Sequence, residues 1–166
     1  MTWRKDSYCS FCGQAFAPEQ PWPRRCANCG NVTFQNPLPV TIVLVPVDDG
    51  VLVVRRAIEP RNGEFALPGG FIDLGETWQE AGAREVWEEA GLRVDPTGIE
   101  LVTTYSAPDG TIIIVGRAAP RTSADLPLFL GTAETDDRRI LTTPIPLAWP
   151  LHTRVVSDFL ASRVSG

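Results

Sequence analysis

An α/β domain behind a small cysteine-rich module is the fold class this 166-residue chain predicts, and three observations carry that expectation. All four cysteines occur as two Cys-x-x-Cys pairs near the start. Further on, β-branched runs come in pairs joined by Asp-Gly turns. Between those pairs lies a segment with helix start and stop signals at its two ends. The boundary is placed between a module over residues 1–36 and a domain over residues 37–166, the latter long enough to bury a core. A hydrophobic fraction of 43% is ordinary for a globular protein, and no apolar run approaches the roughly 20 residues that span a bilayer. A membrane-embedded class is therefore not expected.

In the module, Cys9-Ser10-Phe11-Cys12-Gly13 and Cys26-Ala27-Asn28-Cys29-Gly30 stand thirteen residues apart, the spacing of a zinc ribbon. Cys9, Cys12, Cys26 and Cys29 would complete a tetrahedral shell with no open position, so Zn²⁺ there would be structural. Its binding would then be folding energy, about 10–16 kcal/mol in zinc-finger peptides. That is how a short segment rich in proline and arginine could hold a fold with almost no core. Two disulfides in an exported protein are the competing reading. Met1-Thr2-Trp3-Arg4-Lys5-Asp6 leads into no apolar signal stretch, so reduced, metal-bound cysteines and a cytoplasmic location are expected. Arg4, Lys5, Arg24 and Arg25 give the ribbon a basic tint, but four basic residues are not a nucleic-acid footprint. A net charge of −5 argues against broad phosphate-backbone binding. The ribbon is expected to be structural or to support a homodimer, without a nucleic-acid partner.

In the domain, Val40–Val47 and Val51–Arg56 read as strands joined by Asp48-Asp49-Gly50. A polar loop over residues 57–64 precedes Leu67-Pro68-Gly69-Gly70. A helix is predicted from Trp78 to Ala90: Thr77-Trp78-Gln79-Glu80 has the form of a capping box, and Gly91 suits the position just past a helix end. Ile99–Tyr105 and Thr111–Ala118 form a second strand pair across Asp109-Gly110. A short strand over Arg138–Leu141 and a helix over Leu151–Ser162 complete the chain.

The predicted helix carries the chemistry. Glu85, Glu88 and Glu89 lie three and four residues apart, so they project from one side and repel. Glu88 and Glu89 also fall in the last turn, where the helix dipole disfavours anions. A hard divalent cation such as Mg²⁺ would compensate, whereas a solvated acidic face is the alternative. Ala83, Val86, Trp87 and Ala90 form the apolar stripe expected to face the core, with the glutamates turned away beside Ala81 and Gly82. Those small residues leave room for the Gly69-Gly70 loop to approach.

Gly70, Glu76 and the run Arg84-Glu85-Val86-Trp87-Glu88-Glu89-Ala90-Gly91-Leu92 resemble, at every defined position, the signature box of the Nudix hydrolase family. The lead-in Phe65–Phe71 is similar as well, and the resemblance covers residues 37–166. It implies an α/β/α sandwich with a mixed sheet and hydrolysis of a nucleoside diphosphate linked to another group, with Mg²⁺ or Mn²⁺ as cofactor. Glu88 and Glu89 would be metal ligands, Glu85 a ligand or the base, and the Gly70 carbonyl a further ligand. Arg84 would orient a glutamate. Glu76 would be structural, near the helix start. The general base would come from the box or from a later loop, where Glu134 is the candidate. His152, the one histidine, is expected to be structural.

A zinc ribbon ahead of such a box is similar to the arrangement in NADH pyrophosphatases, yet their Ser-Gln-Pro-Trp-Pro motif is absent after Leu92. Gln20-Pro21-Trp22-Pro23 lies upstream and is read as coincidence. Pro108 resembles a proline of ADP-ribose pyrophosphatases, although Pro108-Asp109-Gly110 is also plain turn chemistry. Phe71 and Tyr105 could stack on a base. The expected substrate is a small nucleotide, ADP-ribose- or NADH-like or a nucleotide sugar. A non-catalytic nucleotide sensor, or a nucleic-acid-binding regulator using the ribbon, is the alternative from another class.

Overall fold

The computed structural model describes residues 5–164, so Arg4 and the Met1–Arg4 part of the leader reading lie outside the described residues. It separates into two units, Met1–Pro37 and Leu38–Gly166.

The first unit is built from two equivalent knuckles. The Gly13 N–H donates to the Cys9 carbonyl at 2.9 Å and the Gly30 N–H to the Cys26 carbonyl at 3.0 Å. Both glycines have left-handed backbone, φ 73° and 74°, which explains why glycine follows each cysteine pair. Arg24–Arg25 (β1) pairs antiparallel with Val32–Thr33 (β2). Beyond the buried Cys9 and Cys26, the unit rests on the Arg24 guanidinium, 4.4 Å from the Trp22 ring and 5.6 Å from that of Phe16. Gln20 exchanges bonds with Arg24 and Arg25, so Gln20–Pro23 has a local role in the ribbon.

In the second unit the strands are Leu38–Leu44 (β3), Pro46–Val47 (β4), Gly50–Arg56 (β5), Phe65–Ala66 (β6) and Gly69–Phe71 (β7). The helix Trp78–Ala90 (α1) follows, then Glu100–Ser106 (β8), Thr111–Arg117 (β9), Thr135–Leu141 (β10) and the helix Pro150–Val164 (α2). Two four-stranded sheets result. One, in the order β7-β3-β9-β8, is mixed: β3 and β9 run parallel and the other pairs antiparallel. The other joins β10, β5 and β4, with β6 also on β5, all antiparallel.

The predicted strand Val40–Val47 is therefore split. The chain leaves the mixed sheet after Leu44 and enters the antiparallel one at Pro46, whose missing N–H suits a break in a ladder. Only β4 then pairs with β5, so the expected long hairpin is a short one.

β3 and β5 are buried on both faces. Ile42, Leu44, Val51 and Val53 join Val155, Val156 and Leu160 of α2 in one cluster. Val43, Val45, Leu52 and Val54 join Val86 and Ala90 of α1 in another. The α/β/α sandwich follows directly, one helix against each face. Helix α1 has the predicted bounds, with the reciprocal Thr77–Glu80 capping box and Gly91 left-handed at φ 64°.

The buried face of α1 differs from the expected stripe. Ala81, Gly82, Glu85, Val86, Glu89 and Ala90 are buried, whereas Trp87 is 44% exposed, with the Arg93 guanidinium 4.0 Å from its ring. Gly82 explains the rotation: a Cβ there would lie 2.9 Å from Val43 Cγ2, so the helix backbone presses onto β3 along its small residues. The two glutamates beside that line are carried inward with it.

Candidate active site

The glycine loop and α1 are joined atom to atom. The Gly69 N–H donates to Glu89 Oε2 at 2.9 Å. A Cβ on Gly70 would come within 2.3 Å of Glu85 Oε1, and one on Gly69 within 2.3 Å of the Thr41 carbonyl. Only glycine fits either position without moving backbone or carboxylate. The loop is also held from the far side, where the Leu67 N–H donates to His152 Nδ1 at 3.1 Å and the Ala148 N–H to the Phe65 carbonyl at 2.7 Å. His152 is thus structural, as expected: a buried acceptor, with desolvation holding it down to about 4.

Arg84 organises the acidic side. Its Nε and Nη2 bind Glu76 in a bidentate fork at 2.8 and 2.9 Å. Its Nη1 reaches Glu85 at 2.8 Å and Glu88 at 3.1 Å, and Nη2 also donates to the Phe71 carbonyl at 3.0 Å. Every N–H of the guanidinium is then used. Glu76 also accepts from the Asp73 N–H, and the Arg84 hydrogen bonds, with that one, hold its carboxyl at about 2. Glu76 is a brace for Arg84, set at the end of the loop that closes on α1.

The glutamates divide by burial. Glu89 is 4% exposed, and desolvation pushes its carboxyl up to about 8 against the opposing pull of the Gly69 N–H. The charges of Glu85 and Glu134 add to the rise, and that of Arg56 opposes it. Glu85 is raised by burial too, with Arg84 opposing. Glu88 is half exposed and turns to Arg84. Glu134 is exposed, and no hydrogen bond or ion pair engages its carboxylate among the described residues. The Glu134 carbonyl accepts from the Ala57 N–H at 2.8 Å, and the neighbouring Thr135 hydroxyl donates a short hydrogen bond to the Glu89 carbonyl. Glu85, Glu89 and Glu134 thus share one electrostatic field, and burial disfavours the charged form of Glu85 and Glu89. That donor set, hard carboxylate oxygens beside a backbone pinned by glycine, suits a divalent cation.

Tyr105, Ile113, Val40 and Phe71 form one row across all four strands of the mixed sheet. Phe71, at the edge, is 57% exposed, and Tyr105 is half-buried with Arg154 above its ring. Pro108 lies in the β8–β9 turn, closed by the Gly110 N–H to the Ala107 carbonyl, with Gly110 at φ 87°.

In the ribbon the Sγ atoms of Cys9, Cys12, Cys26 and Cys29 lie within 4.8 Å of one another, with Cys9–Cys29 at 3.7 Å and Cys12–Cys26 at 3.6 Å. Thiolates about 2.3 Å from a tetrahedral Zn²⁺ stand about 3.8 Å apart, so the quartet fits that ion. Among the described residues it is the one group of three or more Cys, His, Asp or Glu side chains whose ligand atoms already converge. Asn28 and Asn31 direct amide N–H groups at the Cys12 and Cys29 sulfurs.

The sequence model of the NUDIX domain family matches residues 36–138, spanning β3 to β10 and the whole acidic site. The chain belongs to the NUDIX domain family. A relative, the NAD-capped RNA hydrolase NudC of Edwardsiella ictaluri, is 32% identical over 120 residues, 72% of this chain and 46% of its own length. The protein of that name from Escherichia coli K12 is 30% identical over 125 residues, 75% of this chain and 48% of its own. The chain thus spans about half the length of the curated relatives it matches. The crystal structure of a NUDIX hydrolase from Nitrosomonas europaea superposes with a TM-score of 0.80 at 29% identity, covering 96% of this chain and 93% of that one. No helix among the described residues of this NUDIX protein is long and apolar enough to cross a membrane.

Sequence reasoning found the glutamates, the glycine loop and the cysteines. It missed Thr135 and Arg56, which stand opposite each other where β10 meets β5. Neither carries a local signal: a threonine and an arginine at a strand end are common, and only the pairing brings them to α1.

Proposed function

We propose that this NUDIX protein is a divalent-metal-dependent pyrophosphohydrolase that cleaves a nucleoside diphosphate linked to another group, releasing a mononucleotide and a phosphorylated product. The observation that carries this reading is the buried pair Glu85 and Glu89 set against a loop where only glycine fits. A pure binder of anionic nucleotides has no use for buried carboxylates facing its ligand.

Glu85, Glu88 and Glu89, with the Gly70 carbonyl, would hold Mg²⁺ or Mn²⁺. Bound there, the metal would supply positive charge to complement a pyrophosphate and a lowered pKa for the attacking water. Arg84 keeps Glu85 and Glu88 aimed, and Glu76 keeps Arg84 aimed. Glu134 is the favoured general base. Its carboxylate is free to accept a proton from the attacking water, whereas Glu85 is engaged by Arg84 and lies close against Gly70. Phe71, exposed beside the loop, offers a ring on which a base can stack. Tyr105 extends the same row, as a second and more buried surface. Cys9, Cys12, Cys26 and Cys29 would hold structural Zn²⁺, and residues 1–36 and 37–166 would act as ribbon and catalytic domain in a cytoplasmic protein that can pair as a homodimer.

Relatives named NAD-capped RNA hydrolase support including NAD-linked pyrophosphates among the substrates. The test is a panel with Mg²⁺ or Mn²⁺ of ADP-ribose, NADH, NAD⁺, FAD, NAD-terminated RNA, diadenosine polyphosphates, nucleotide sugars and nucleoside triphosphates, with products separated. Metal-dependent release of a mononucleotide is expected. No turnover from zinc-loaded protein would count against the reading and favour a nucleotide sensor.

A further inference from the structure

Arg56 closes β5 at the edge of the acidic site. Its backbone pairs with Thr135, whose hydroxyl holds the Glu89 carbonyl. The next residue, Ala57, donates to the Glu134 carbonyl. The Arg56 charge opposes the rise at Glu89 and adds to the lowering that burial causes at His152, so it is within electrostatic reach of both. The side chain is half-buried and fixed in direction. Its guanidinium carbon lies 5.0 Å from the centre of the Trp149 ring, which is itself backed by His152 at 4.9 Å, and its Nε donates to the Pro60 carbonyl at 2.8 Å. Stacking and that one bond orient the group.

Among the described residues, Arg56 differs from its neighbours in having neither a carboxylate partner nor its terminal nitrogens in use. Arg84 has no donor left. Arg55 is engaged by Asp136, Arg61 by Glu64 and Arg139 by Asp137. Arg138 is spent on the Ala90 and Pro127 carbonyls. Among the described residues no hydrogen bond or ion pair engages the two terminal nitrogens of Arg56. An aimed guanidinium with free terminal N–H groups, beside carboxylates that cannot themselves attract an anion, matches the two-oxygen edge of a phosphoryl group.

We infer that Arg56 binds phosphate oxygens of the substrate's pyrophosphate through its terminal nitrogens, held in aim by Trp149 and the Pro60 carbonyl. This rests on reading the acidic site as a pyrophosphate site. Arg56 would then be the protein's own cation for the anion, complementing the metals held by the glutamates. Trp149 would be a positioning residue acting through it.

The test uses the full zinc-loaded chain and inorganic pyrophosphate as the probe, titrated calorimetrically in saturating Mg²⁺, with Mn²⁺ affinity measured separately. Arg56→Gln should weaken pyrophosphate binding by at least about tenfold, the loss expected for charge-assisted hydrogen bonds. Mn²⁺ should bind as tightly as before or more tightly, since a neighbouring positive charge is gone. Arg56→Lys keeps the charge without the fork and should fall in between. It also carries the test should the glutamine variant fail to fold. Pyrophosphate affinity within about twofold of wild type in a folded variant would overturn the inference. So would an equal loss of Mn²⁺ affinity, or a wild-type protein that takes up no pyrophosphate. Wild type that binds pyrophosphate through Arg56 yet hydrolyses nothing in the panel would refute the hydrolase reading alone. Normal turnover and an unchanged KM in Arg56→Gln would refute the arginine's role alone.

Discussion

Replacing Glu89 by Gln separates what the site does for the fold from what it does for chemistry. The substitution keeps shape and a carbonyl oxygen able to accept the Gly69 N–H, and it removes the ionisable group. In the metal-free protein burial holds Glu89 at about 8, against 4.5 for an ordinary glutamate. The folded state therefore binds this proton more tightly than the unfolded chain does. The stability contribution is fully present below pH 4.5 and is lost as the pH rises through about 8. At about 1.36 kcal/mol per pKa unit the gap corresponds to a few kcal/mol. Urea unfolding of both proteins in magnesium-free buffer between pH 5 and 9 isolates the effect, because other groups cancel in the difference. The variant should gain on wild type by a few kcal/mol as the pH rises. Added Mg²⁺ should stabilise wild type most at high pH, where cation and proton no longer compete, and should stabilise the variant far less. Turnover of the variant should drop by orders of magnitude while it stays folded. A stability difference flat in pH, or equal Mg²⁺ stabilisation of the two proteins, would refute the reasoning.

Three other expectations follow from particular contacts. Arg84→Lys keeps a charge but cannot span Glu76, Glu85, Glu88 and the Phe71 carbonyl together, so kcat should fall by about tenfold or more with the fold retained; steady-state kinetics beside a circular dichroism spectrum checks it. Cys26→Ser should release Zn²⁺, measured by a chromogenic chelator, and destabilise the N-terminal unit while sparing much of the hydrolysis. His152 accepts the Leu67 N–H in its neutral form, with a folded pKa of about 4 below the ordinary 6.5. Its contribution should be present above pH 6.5 and lost as the pH falls through about 4, so acid unfolding of wild type should carry a component that His152→Gln lacks.

Helix α1 was legible to the residue because its signals are local: Thr77, Glu80 and Gly91 act within one turn of their own positions. The β8–β9 hairpin was legible for the same reason, its Asp109-Gly110 turn lying between two apolar runs. The break at Val45–Pro46 was not, since whether a long β-branched run stays in one sheet depends on partners far along the chain. The face of α1 was misjudged because the wheel weighs side chains by polarity. Here close backbone approach at Gly82, and a hydrogen bond from Gly69, outweigh the exposure of Trp87. Glu85, Glu88 and Glu89 could be found from spacing. Their unequal burial, and the saturation of Arg84, required the fold.

The central proposal is that these carboxylates would hold a divalent cation and that water attacks a phosphorus of a pyrophosphate. The most direct measurement is hydrolysis in ¹⁸O-labelled water, with the products weighed by mass spectrometry, for wild type and Glu89→Gln side by side with and without Mg²⁺. The account predicts one label in a product phosphate from wild type with Mg²⁺, and almost none from the variant or without metal. Equal labelling by the variant, or labelling that ignores Mg²⁺, would contradict it.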